Sequence, residues 1–195
     1  MDQKLTLFKV NMRQRTFRPT LVFLSSFAPM AVPQKHKEHA PASVKCGVIT
    51  ISDSRTPETD ESGKLIRDLL LRSGHTVLFQ VVVKDEAKPI VDALEQASWT
   101  CEVIITNGGT GLARRDVTMA ALVPVFEKTL PGFGELFRSL SFKEIGSAAM
   151  MSGAIAGVYH GRLVFCLPGS PDACRLALEK LIVPELGHAV GVMSR

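Results

Sequence analysis

Between residues 44 and 195 the hydrophobic positions switch between two periods, and the switches mark the elements. Residues 44–52 (V-K-C-G-V-I-T-I-S) are rich in β-branched side chains and predict a first strand. The polar, proline-containing residues 53–61 predict a loop. Ser62 is then placed to cap a helix whose apolar residues Leu65, Ile66, Leu69 and Leu70 recur at helical spacing, with Gly74 as its stop. Thr76–Val83 predicts a second strand. Ala87–Ser98 predicts an amphipathic helix with Pro89 in its first turn and Ile90, Val91 and Leu94 inward. Residues 101–106 form a short apolar strand of the kind buried on both faces of a parallel sheet. A glycine-rich loop follows, Asn107-Gly108-Gly109-Thr110-Gly111, then a helix from about Val117. Residues 131–140 predict a further helix, and residues 172–186 a closing one. Ile155–Tyr159 and Arg162–Leu167, joined by His160-Gly161, predict a hairpin. The alternation predicts an α/β fold: three layers, a mostly parallel central sheet flanked by helices, with a small β-hairpin.

The first 43 residues differ. They carry seven Lys/Arg and two acids, whereas the remaining 16 basic and 17 acidic groups nearly cancel. The sequence pI near 9.0 is therefore a property of the extension. The domain has no basic stripe for nucleic acid, and no apolar run reaches the length of a membrane helix. The extension reads as a targeting peptide, a tail without fixed structure, or a start-site misassignment with Met30 as the first residue. The third is preferred, which places the protein in the cytoplasm. Cys46, Cys101, Cys166 and Cys174 form no C-x-x-C pair and read as buried, reduced thiols.

Ligands of open α/β sheets bind beyond the carboxyl ends of the strands. Three loops leave such ends: 53–63, 106–116 and 168–172. The central T-N-G-G-T-G turn exposes backbone N–H groups beside a helix start, which suits phosphate. It lacks the Gly-Lys-Ser/Thr of a nucleotide P-loop and the G-x-G-x-x-G dinucleotide pattern. Asp116 directly follows Arg114 and Arg115. An aspartate beside a phosphate cradle makes sense with a divalent cation between them, or simply as the cap of the next helix. Asp53, Asp60 and Asp85 are turn residues or ligands on the same reasoning.

Five stretches in order resemble one family: T-I-S-D-S-R-T at 50–56, D-E-S-G at 60–63, T-N-G-G-T-G at 106–111 continuing through R-R-D-V-T to 118, P-G-F-G-E at 131–135, and L-P-G-S-P at 167–171. The chain from Val44 onward resembles the MoaB/MogA family of molybdopterin-binding proteins, whose domain also occurs in gephyrin; residues 136–146 resemble the MoaB branch in particular. The resemblance implies trimers or hexamers. It also implies Mg-ATP-dependent adenylylation of molybdopterin, with pyrophosphate released and the product passed to the molybdate-insertion enzyme. Carried over by motif, Asp116 and Asp85 are the catalytic aspartates and the Mg²⁺ ligands. Gly108, Gly109, Thr110 and Gly111 form the phosphate cradle, Asp53, Gly63 and Ser170, with Asp60 beside them, belong to the nucleotide end, Pro131, Gly132 and Glu135 belong to the pterin side, and Thr106, Ser152 and Gly169 are further substrate- or phosphate-binding residues. One departure stands out. The family often reads S-R-A where this chain has Ser152-Gly153-Ala154, which removes a charge-assisted contact worth about 1.5–3 kcal/mol if that arginine pairs with phosphate. A non-catalytic molybdopterin carrier is the alternative, and an assembly scaffold a third reading.

Overall fold

The computed structural model describes residues 41–194; the N-terminal extension up to residue 40, with the Met30 start and its alternatives, lies outside the described residues. Six strands, β1 (Lys45–Ile51), β2 (Thr76–Val83), β3 (Val103–Asn107), β4 (Lys128–Thr129), β5 (Ile155–Tyr159) and β6 (Arg162–Leu167), form one sheet in the order β2-β1-β3-β6-β5-β4. Strands β2, β1, β3 and β6 run parallel; β5 is antiparallel to β6 and to β4. The helices are α1 (Glu61–Arg72), α2 (Ala87–Ser98), α3 (Thr118–Leu122), α4 (Pro131–Ile145), α5 (Pro171–Ala177) and α6 (Val183–Met193).

Period-2 alternation in the strands divides the core between the two sheet faces. Val48, Val103, Ile105 and Leu167 pack with Ile66 and Leu70 of α1, Phe137 of α4 and Leu186 of α6. Ile49, Ile104 and Val164 pack with Ile90 and Leu94 of α2 and Leu122 of α3. Helices on both faces bury β3 and the middle of β1 and β6, so these strands are mostly apolar, with Thr50, Thr106 and Asn107 as buried polar exceptions at their carboxyl ends. The three-layer α/β expectation holds, and so do the hairpin boundaries.

Four local expectations change. Asp60, not Ser62, caps α1: its carboxylate accepts from Gly63 N at 2.8 Å, and Ser62 lies inside the first turn. The third strand runs to Asn107, one residue further than its apolar stretch. The fourth helix continues to Ile145, where Gly146 at φ 62° ends it. The closing helix is two α segments joined by a π turn at Leu178–Ile182. Pro184 is the physical reason, because its missing N–H and ring bulk break the ordinary i→i−4 ladder there. The expectation of buried reduced cysteines holds for all four.

Candidate functional site

The parallel pairing of β1, β3 and β6 sets Thr50 opposite Asn107 and Asn107 opposite Leu167, so three loops leave the sheet side by side. The glycine loop emerges between the other two and is gripped by both. Gly108 N donates to Leu167 O at 3.0 Å, and at φ +101° a Cβ there would stand 2.2 Å from Ile51 O. Only glycine fits that conformation and that gap. Thr118 ties the loop to α3: its hydroxyl donates to Gly108 O at 2.9 Å and its N–H to Gly109 O at 3.0 Å. The turn from 109 to 111 lies outside any helix or strand ladder.

Three carboxylates gather against this loop. Asp85 N donates to Asp53 Oδ1 at 3.1 Å, and Asp85 Oδ1 accepts from Val117 N at 3.3 Å. A Cβ on Gly109 would lie 2.7 Å from Asp85 Oδ1, and one on Gly111 would lie 2.6 Å from Asp116 Oδ2. Both glycines thus make room for carboxylate oxygens. Asp116 is not the cap of α3. Val117 holds that position without a side-chain bond, and Asp116 Oδ2 accepts instead from Ala113 N at 3.0 Å. The Arg115 guanidinium pairs with Asp53. Burial pushes the Asp85 carboxyl above its ordinary value; the Val117 N–H opposes this, while the charges of Asp116 and Asp53 add to it. Among the described residues no group of three or more His, Cys, Asp or Glu is arranged to hold a metal. Mg²⁺ does not require one, since it takes one or two carboxylates and completes its shell with waters and phosphate oxygens. Asp85 and Asp116, mutually repelling beside a loop suited to phosphate, fit that requirement.

A polar cavity lies at the β1 end, lined among others by Thr50, Ser52, Arg55, Asp60, Ser62, Asn107 and Gly169. Asp60 is buried and fully engaged, taking Gly63 N on one oxygen and the Thr50 hydroxyl, at 2.6 Å, on the other. A Cβ on Gly63 would stand 2.1 Å from Asp60 Oδ2, so this glycine is what lets the cap and the threonine bond coexist. Ser62 Oγ donates to Gly169 O at 2.8 Å, and Gly169 packs on Gly108, which locks the L-P-G-S-P turn to the glycine loop.

The remaining candidates are dispersed. Thr106 is fully buried within β3. Ser170 is exposed and caps α5 by accepting from Ala173 N at 3.3 Å. Pro131, Gly132 and Glu135 are exposed at the start of α4, whose inward residues there are Phe133, in the core, and Gly134, packed on Ala154 O. Ser152 is half-buried at the end of the 3₁₀ turn before β5. Gly153 beside it has a clear steric role: a Cβ there would stand 1.9 Å from Thr110 O, so the entry to β5 lies directly against the glycine loop. Thr50, Ser62, Asn107 and Thr118 were not among the sequence candidates. The sequence carries a signal for Thr50, a polar residue inside an otherwise apolar strand, but none for Asn107, which reads as part of the glycine-rich turn.

A family model described as "Probable molybdopterin binding domain" matches residues 47–188. The chain is 51% identical over 164 residues to a molybdenum cofactor biosynthesis protein B of Bacillus subtilis, covering 80% of this chain and 94% of that one. It is 49% identical to the protein of that name from Bacillus anthracis, covering 83% and 97%. Among solved structures, a molybdenum cofactor biosynthesis protein B superposes with a TM-score of 0.77 at 47% identity, over 80% of this chain and 99% of that one. The tungsten cofactor synthesizing protein MoaB of Pyrococcus furiosus does so with a TM-score of 0.74 at 36% identity, over 80% and 100%. With most of its length matched, the sequence motifs in order and the MoaB fold reproduced, the chain belongs to the molybdopterin-binding family that includes these proteins.

Proposed function

We propose that this protein acts in molybdenum cofactor biosynthesis in the cytoplasm, as a molybdopterin adenylyltransferase that uses Mg-ATP and passes its product to a molybdate-insertion enzyme. The observation that carries this reading is the placement of Asp85 and Asp116 directly on the glycine loop, each in the space where Gly109 and Gly111 lack a side chain. In the reaction a terminal phosphate oxygen of molybdopterin attacks the α-phosphorus of ATP. A new P–O bond forms there, the bond to the β-phosphate breaks, and pyrophosphate leaves with its electron pair. Two polyanions must be brought together, so positioning and charge compensation are the main tasks. The backbone N–H groups of the 109–111 turn cradle phosphate, and Thr118 holds that turn against α3. Arg115 is oriented by its ion pair with Asp53, which itself accepts from Asp85 N. Asp85 and Asp116 would hold Mg²⁺, which when bound supplies charge neutralisation across the phosphates.

The test is single-turnover transfer from α-labelled ATP to molybdopterin. Label on the pterin is expected, with at least a hundredfold slower transfer in Asp116→Asn, a loss in the range seen when one electrostatic group is removed from such a site. Normal turnover in that variant removes Asp116 from the mechanism. A second reading, a carrier that binds molybdopterin without reacting, is favoured by Gly153, which replaces a cationic residue with none. It predicts pterin binding with no label transferred.

A further inference from the structure

The polar cavity at the ends of β1 and β3 holds a buried group that the fold leaves unsatisfied. Asn107 is only 1% exposed. One end of its amide lies 3.0 Å from Thr50 Oγ1, and the other has no hydrogen-bond partner. Thr50 Oγ1 also lies 2.6 Å from Asp60 Oδ2. A hydroxyl carries one hydrogen, and the shorter contact, to a carboxylate, takes it. The two ends of an amide have the same shape, so Asn107 satisfies Thr50 only by turning its NH₂ toward it. A directed chain results, from Asn107 N–H through Thr50 O–H to the Asp60 carboxylate. The Asn107 carbonyl oxygen is then the atom left over, an acceptor without a donor at a site where nearly every polar group is paired.

The other walls show what donor belongs there. Asp60 has both oxygens engaged, and Ser62, which also lines the cavity, spends its hydrogen on Gly169 O and keeps only acceptor capacity. One carboxylate and one guanidinium, Asp60 and Arg55, line it, so their charges balance. Such a cavity is poor for a phosphate and good for a neutral hydroxyl. The turn suited to anions begins one residue further on. Asn107 thus directly precedes the turn suited to the phosphate of the same nucleotide.

We propose that this cavity takes a ribose hydroxyl of the nucleotide and that Asn107 makes the protein select ribonucleotides over deoxyribonucleotides; this rests on the nucleotide-binding reading above. The test is equilibrium binding of AMP, 2′-deoxy-AMP and 3′-deoxy-AMP to the full-length protein and to Asn107→Leu, a near-isosteric change that removes both polar ends together. The unmodified protein is expected to bind AMP about tenfold or more tightly than at least one deoxy form, the equivalent of one hydrogen bond. The leucine variant should bind all three alike, near the affinity of that deoxy form. Equal binding of the three by the unmodified protein, which needs no variant to fold, means that the cavity holds a structural water only and overturns the assignment. So does a preference for AMP that survives in Asn107→Leu. Failure of AMP to bind at all sinks the nucleotide reading itself, a different result from either.

Discussion

Gly153 sets sterics against charge, and the two give opposite expectations for the same substitution. If the family arginine pairs with a phosphate, Gly153→Arg restores a contact worth about 1.5–3 kcal/mol. In this fold, however, a Cβ at 153 would lie 1.9 Å from Thr110 O, and a backbone oxygen cannot rotate away. Real Cβ contacts stay near 3 Å or beyond, so the β5 entry or the glycine loop must retreat by roughly 1 Å, and displacements of that size near reacting groups cost about a hundredfold in rate. Gly153→Ala isolates this term, since it adds the clash without the charge. It is expected to lower kcat for AMP transfer by about tenfold to a hundredfold, and stability by about 1–3 kcal/mol as an overpacked site does. Gly153→Arg should fall below the unmodified protein too, unless its charge outweighs the displacement. The assays are steady-state AMP transfer, read as separate kcat and KM, and urea unfolding. If Gly153→Ala transfers AMP and unfolds like the unmodified protein, the close approach to Thr110 is not a constraint and the reasoning fails. If Gly153→Arg alone accelerates transfer, the missing charge was the dominant effect.

Matched glycine substitutions test the Asp60 network. Gly63→Ala drives a methyl group into Asp60 Oδ2 and Thr50 Oγ1 and is expected to cost about 2–4 kcal/mol, a lost cap together with an unsatisfied buried carboxylate. Gly132→Ala, also helical but with open space around it, should be neutral or stabilising by up to about 1 kcal/mol; equal unfolding midpoints for the two would contradict the packing. Asp85→Asn addresses pH. Because folding raises this carboxyl above its unfolded value, ionisation costs stability; the penalty is absent below the unfolded pKa and complete above the folded one. The asparagine variant should therefore be the more stable protein at neutral pH in the absence of Mg²⁺, with the gap closing on acidification through the carboxylate range. A gap that widens toward acid reverses the sign. Burial pushes the Cys166 and Cys174 thiols up to about 12, so at pH 8 both should resist alkylation in the folded protein and react only on unfolding, read by intact mass.

Local pattern alone determined most of the architecture. The β-branched runs and helical spacing placed the major strands and helices to within a few residues, and His160-Gly161 marked the hairpin turn, because these elements are specified by side chains close together in sequence. The motifs also named the glycine loop and its aspartates. What local pattern missed was decided at long range. Asp60 displaces Ser62 as a cap because Thr50 on another element engages its second oxygen, and Ser62 is drawn to Gly169. Asp116 stands beside Gly111 instead of capping α3, which no i→i+3 rule foretells. Gly153 reads in sequence as a lost charge; in the fold it is a point of contact between two loops about forty residues apart, where no Cβ fits. Asn107 reads as a turn residue until parallel pairing with β1 buries it opposite Thr50. Sequence spacing reveals which residues share an element, but only the packing of β1, β3 and β6 side by side decides which polar groups share a site.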